Sequence, residues 1–310
     1  MASPALTTSS RADRVGDKIF SGAALFAGCL ILAVLFMVAV FLLWQAMPAF
    51  LASPEEASGN EGFLLYVFPL IIGTLIAAAI ALLLATPVSI GVALFISHFA
   101  PRKLAQGLGY LVDLLAAIPS VVYGAWGVAF LAPQLTGPYE WLAENAGWIP
   151  IFAGPASNTG RTMLTAGIVL AVMITPIITS LCREIFLQTP TLHEEAALAL
   201  GATRWEMIKT AVLPFGRPGI ISAIMLGLGR ALGETMAVAL VLSAGPLIAS
   251  LIRTGNQTIA AEIALNFPEA FGLRLNELIA AGLVLFVITL IVNMIARWII
   301  SRHKEFSGAN

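Results

Sequence analysis

Apolar runs of membrane-crossing length dominate this chain of 310 residues. A helix needs about 20 consecutive, mostly apolar residues to cross a hydrocarbon core. Six stretches meet that length: 19–44, 66–97, 107–132, 162–186, 218–243 and 276–300. Charged residues make up only 11% of the chain, against about 25% in soluble domains. A folded surface facing water needs more polar groups than that, so lipid must solvate much of it. The expected fold is all-α, a polytopic membrane protein with six transmembrane helices and one domain. The first run is too long for a signal peptide, whose apolar core is about 7–15 residues, and reads as a retained span after a tail over 1–18. Pro69, Pro87, Pro119 and Pro176 fall inside runs, where neighbouring helices can satisfy the freed carbonyls.

Lysine and arginine sort by loop. Arg11, Arg14 and Lys18 precede the first run, Arg102 and Lys103 follow the second, and Arg183, Arg204, Lys209 and Arg217 flank the loop after the fourth. Arg297, Arg302 and Lys304 end the chain, while the alternate loops hold Arg161, Arg253 and Arg274 amid Glu55, Glu56, Glu61, Glu140, Glu144, Glu262 and Glu269. By the positive-inside rule, both termini lie in the cytoplasm of a plasma or inner membrane protein. A net charge of −1 offers no field for nucleic acid. Cys29 and Cys182 make neither a disulfide framework nor a metal-spaced pair. His98, His193 and His303 are scattered and make no metal site.

Residues 187–217 form the most informative loop. Thr191 with Glu194, and Thr203 with Glu206, fit two capping boxes. Gly201 stands where a left-handed residue would end the first short helix, and Leu213-Pro214 would stop the second. A capped helix–Gly–helix unit is too polar to insert and too ordered for a slack linker. Its bland reading is a solvated hairpin between two spans.

The fifth run carries Arg230 and Glu234 near its middle, at a cost of about 2.5–3.5 kcal/mol for each charge. Four residues apart on a continuous helix, they would share a face and touch, along with Ala223, Gly227, Gly233 and Ala237. Such a pair either locks helix packing or serves a gate or anion path, since the planar guanidinium suits phosphate-like oxygens. Asp113, near the start of the third run, reads as an interfacial residue, and Arg161 as a surface anchor.

Glu195-Ala196-Ala197, three residues, Gly201 and later Leu213-Pro214 resemble the EAA loop of binding-protein-dependent ABC importer permeases, with Ala211 where that family usually has isoleucine. Gly229-Arg-Ala-Leu-Gly-Glu-Thr-Met236, residues 117–124 and residues 160–176 are similar to the corresponding segments of the PstC family of phosphate ABC importer permeases. The resemblance covers roughly 70–305. It implies the type I ABC importer permease fold and a translocation pathway at Arg230 and Glu234. It implies a loop whose Glu195, Ala196, Ala197, Gly201, Leu213 and Pro214 couple to an ATPase. The implied partners are a PstA-like second permease, a PstB-like ATPase dimer that binds ATP and Mg, and an external PstS-like phosphate-binding protein. The chain has no G-x-x-x-x-G-K-[ST] phosphate loop, so it is expected to be non-catalytic and to hold no cofactor itself. Permeases for sulfate, molybdate or phosphonate are the near alternatives; an ion-coupled secondary transporter is a more distant one.

Overall fold

A computed structural model describes residues 11–56 and 62–302; Glu61, His303 and Lys304 lie outside them. Among the described residues every regular element is a helix, and loops such as 242–258 join them. Helix α1 spans Arg11–Leu51, so residues 11–18 belong to the first helix rather than to a separate tail. Next come α2 (Phe63–Leu94), α3 (Arg102–Ala116), α4 (Ser120–Trp126), α5 (Ala132–Ala146) and α6 (Met163–Leu187). The short α7 (Thr191–Ala199) and α8 (Arg204–Met207) lead into α9 (Leu213–Leu232) and α10 (Met236–Val241). Helices α11 (Ile259–Asn266) and α12 (Leu273–Arg302) complete the fold.

Five helical bodies are long and apolar enough to cross a membrane, and a sixth span arises if the bent pair 102–146 counts as one. That matches the expected number. The third span differs in position from the expected 107–132. Pro119 has no N–H and disfavours helical backbone at the residue before it. The chain therefore turns by 90° between α3 and α4, and the apolar body runs on to Ala146. Tyr123 stitches this corner by donating its hydroxyl to the Leu115 carbonyl at 2.8 Å.

Helix α6 is the axis of the bundle. Its Met163, Leu170, Ile174, Ile178, Cys182 and Phe186 are fully buried. Alanines 77, 78, 81 and 85 bring α2 against it, and Ser89 Oγ donates to the Thr175 carbonyl at 3.1 Å. Small residues permit this close approach, which drives packing between helices in lipid. Helix α1 differs: Phe20, Phe26, Leu35 and Phe41 are all exposed, and among its described side chains only Ala46 and Ala49 near its end are buried. Apolar side chains on every face need lipid or another apolar helix as solvent.

The end of the bundle opposite α7 is tied by charge. Arg274 pairs with Glu262 at 2.7 Å and Glu277 at 3.2 Å, and its guanidinium lies 4.7 Å above the Tyr66 ring. Tyr66 donates to Glu262 at 3.1 Å. Asn256, with φ of 64°, joins its side chain to both backbone groups of Ile248, so the loop after α10 is ordered.

Candidate functional site

The fifth span is built in two pieces. Beyond Val212, α9 buries Gly216, Ile220, Ala223, Gly227 and Ala231. Gly227 faces α6, where an added Cβ would lie 2.7 Å from Ile178 Cδ1. The opposite face presents Ser222, Leu226, Gly229 and Arg230. The helix ends at Leu232 with Gly233 as its cap, and α10 starts at Met236.

This break changes the expected charge pair. Across a continuous helix Arg230 and Glu234 would meet, but Gly233 turns the backbone between them. Among the described residues no ion pair joins them. Arg230 is exposed, whereas Glu234 is buried and accepts a hydrogen bond from the Ala237 N–H at 3.1 Å. Glu234 thus caps the N-terminus of α10, where a carboxylate meets both a free donor and the positive end of the helix dipole. The shared small-residue face is also divided: Ala223 and Gly227 pack inward while Arg230 points away from them.

The other end of α10 is held by Arg161, which reads from the sequence as a surface anchor. Its Nη2 donates to the Leu240 and Leu242 carbonyls, each at 3.0 Å. The last carbonyls of a helix lack internal partners, and a cation there opposes the negative end of the dipole. Arg161 is therefore a positioning residue for α10, placed by Thr162, the N-cap of α6, whose side chain accepts from the Thr165 N–H. Nothing in the spacing of 161 and 240 announces this contact.

Helix α10 packs on α4 at backbone distance. A Cβ on Gly124 would lie 2.7 Å from Ala237 Cα and 3.1 Å from Leu240 Cδ1. Gly124→Val is expected to destabilise the fold by about 1–3 kcal/mol through overpacking, seen as a lower thermal midpoint of the purified protein. An unchanged midpoint would mean that the α4–α10 contact yields freely.

The 187–217 loop is an ordered unit. Gly201 adopts φ of +88°, as expected of a left-handed helix stop. Thr203 and Glu206 form a complete capping box. Thr191 does not cap: Pro190 takes the N-cap position, and Glu194 reaches His98 at 3.4 Å instead. Leu213-Pro214 does not stop the second helix either. Proline is tolerated in a first turn, and α8 passes through a wide π turn at Ile208–Val212 straight into α9. Glu195, Ala196, Gly201 and Pro214 are exposed; Ala197 and Leu213 are half-buried against the core. Leu192, Leu200 and Trp205 are 73%, 91% and 57% exposed, a surface sequence reasoning passed over. Asp113 is not merely interfacial: it accepts from Ser180 Oγ at 2.6 Å and lies 3.5 Å from Arg183.

An open cavity of about 650 Å³ lies beside Arg230, lined also by Ile177, Ser222, Asn293 and Arg297. Among the described residues no group of side chains could hold a metal ion.

Helices long and apolar enough to cross a membrane, one of them ending at Leu232 just past Arg230 and entered through a capped loop, mark an all-helical membrane protein. The chain belongs to the family described as binding-protein-dependent transport system inner membrane component, whose model matches residues 85–305. It is 44% identical over 311 residues to phosphate transport system permease protein PstC 2 of Mycobacterium tuberculosis, covering 96% of each chain. It is 40% identical to phosphate transport system permease protein PstC of Mesorhizobium japonicum, covering 94% of this chain and 92% of that one. Among solved structures it is similar to a bacterial alginate ABC transporter in complex with its pentasaccharide-bound periplasmic protein, with a TM-score of 0.59, 19% identity and coverage of 91% and 96%. The inward-facing MetNI methionine ABC transporter gives a TM-score of 0.53 at 16% identity, covering 80% of this chain and all of that one. The fold is that of the ABC importer permeases, as the sequence resemblance implies.

Proposed function

We propose that this chain is the membrane-spanning permease subunit of an ATP-driven phosphate importer. It forms half of a translocation pathway with a PstA-like second permease. A PstB-like ATPase dimer, which binds the ATP and Mg, docks on residues 187–217, and a PstS-like external protein delivers phosphate. Both chain ends then lie in the cytoplasm. The chain itself makes and breaks no covalent bond.

The observation that carries this reading is the unbroken helical path from Arg204 to Leu232. One body joins Trp205, an exposed apolar side chain of the loop, to Arg230. Motion of an ATPase seated on Trp205 would reach Arg230 along one helical body, and motion at Leu192 and Leu200 would join it through the Gly201 turn. Arg230 then meets the anion in transit through its charged donors, while Glu234 and Arg161 keep α10 in place beside it.

The test is radiolabelled phosphate uptake into proteoliposomes that hold the whole complex and its binding protein, with and without internal ATP. Uptake that requires ATP and is not competed by sulfate or molybdate supports the reading. Uptake that ignores ATP and follows a proton or sodium gradient would falsify it. Gly201→Val supplies a second check. A β-branched residue in a left-handed conformation costs roughly 1–2 kcal/mol or more, and the strain falls on the coupling loop. Phosphate carried per ATP hydrolysed is expected to drop by about fivefold, the factor that ~1 kcal/mol produces; an unchanged ratio would remove this loop from coupling.

A further inference from the structure

The cavity beside Arg230 runs between α9, α6 and α12. Arg230 and Gly229 line it together with Ser222, about two turns or 12 Å nearer the α8 end of α9 at 1.5 Å per residue. From α12 come Asn293 and, one turn on, Arg297. None of the lining residues is acidic, and among the described residues neither arginine has a carboxylate partner. Arg297 lies about 36 Å along α12 from Leu273, past a hydrocarbon core of about 30 Å. The positive-inside rule alone explains a basic residue at that depth. It does not explain why that residue shares a cavity with Arg230, an amide and a hydroxyl.

We propose that this cavity is a binding site for a phosphate-type oxyanion on the cytoplasmic side, with Arg230 at its inner end, Arg297 at its mouth and Asn293 between them. The cytoplasmic placement rests on the permease reading above. The donor set is suited to such an anion: two guanidinium forks supply charged N–H groups and Asn293 supplies an amide. Ser222 Oγ now donates to the Pro218 carbonyl at 3.0 Å and would turn to face an anion. The same chemistry has two sources, free phosphate leaving the pathway or the headgroup of an anionic lipid entering between α9 and α12.

The experiment uses the assembled complex carrying Ser222→Cys, in phosphatidylcholine vesicles and in vesicles with about one third phosphatidylglycerol. A water-soluble thiol reagent is applied from the cytoplasmic side, and the chain retaining Ser222 gives the background from Cys29 and Cys182. Free phosphate in the site is expected to slow the reaction by about tenfold at saturation in neutral vesicles. Chloride at equal ionic strength should not slow it, and Arg297→Gln should abolish the protection. Protection that needs phosphatidylglycerol instead, and still needs Arg297, assigns the site to lipid. If Arg297→Gln fails to assemble, Asn293→Leu tests the middle of the site in the same way. No protection by phosphate or by anionic lipid, or equal protection in both variants, overturns the proposal. ATP-driven uptake by the complex with Ser222 intact separates the two readings. Protection without uptake keeps the site and sinks the importer assignment; uptake without protection sinks the site alone.

Discussion

Arg230→Gln is expected to lower ATP-driven phosphate uptake by at least about a hundredfold, equivalent to ~2.7 kcal/mol, while the complex still assembles. Assembly should survive because Arg230 is exposed on α9 and makes no ion pair among the described residues. The packing of this helix rests on Ile220, Ala223, Gly227 and Ala231 on the other face. What glutamine removes is a charge and the planar pair of donors that would meet the anion in the proposed pathway. Arg230→Lys keeps the charge and loses the fork, so its uptake should fall between the two, about tenfold below wild type. Uptake by purified complexes in proteoliposomes, normalised to subunit content, reads both. Full activity in Arg230→Gln would return this residue to a packing or insertion role.

Arg161→Ala should act through structure. Two charge-assisted hydrogen bonds disappear, and the Leu240 and Leu242 carbonyls lose the cation that satisfies them. A hydrogen bond to a charged group contributes about 1.5–3 kcal/mol. The expected loss is about 2–4 kcal/mol, because the two bonds share one nitrogen and are not additive. The thermal midpoint should drop, and uptake should fall because α10 and its cap Glu234 lose their position. Arg161→Lys, which still presents a cation to the helix end, should recover part of both. If uptake falls in Arg161→Ala at an unchanged midpoint, Arg161 acts on the anion directly and not through α10.

Much of this architecture is legible in the residues, for identifiable reasons. Span number follows from hydropathy, because lipid leaves the chain few alternatives. Gly201 and the Thr203–Glu206 box are local: the turn and the cap are complete within a few residues. The breaks at Pro119 and Gly233 are harder to see, since an apolar run has the same composition on both sides of a break. The expected Arg230–Glu234 contact assumed a continuous helix, and one glycine removed that premise. Thr191 lost its cap role to Pro190, and Glu194 turned to His98, ninety-six positions away. Arg161 reaches Leu240 across seventy-nine positions. Contacts of that range depend on how helices stack, which no window along the chain contains.

The π turn at Ile208–Val212 sets the rotational phase of the fifth span. Each residue on an α-helix advances its side chain by about 100°, and a π turn holds one residue more than an α turn would. The azimuth of Arg230 is therefore indexed to that of Trp205, much as two marks on one shaft keep their angle when the shaft turns. Torque applied near Trp205 would arrive at Arg230 as a change of heading, and the helix break at Gly233 would keep α10 from following that rotation rigidly.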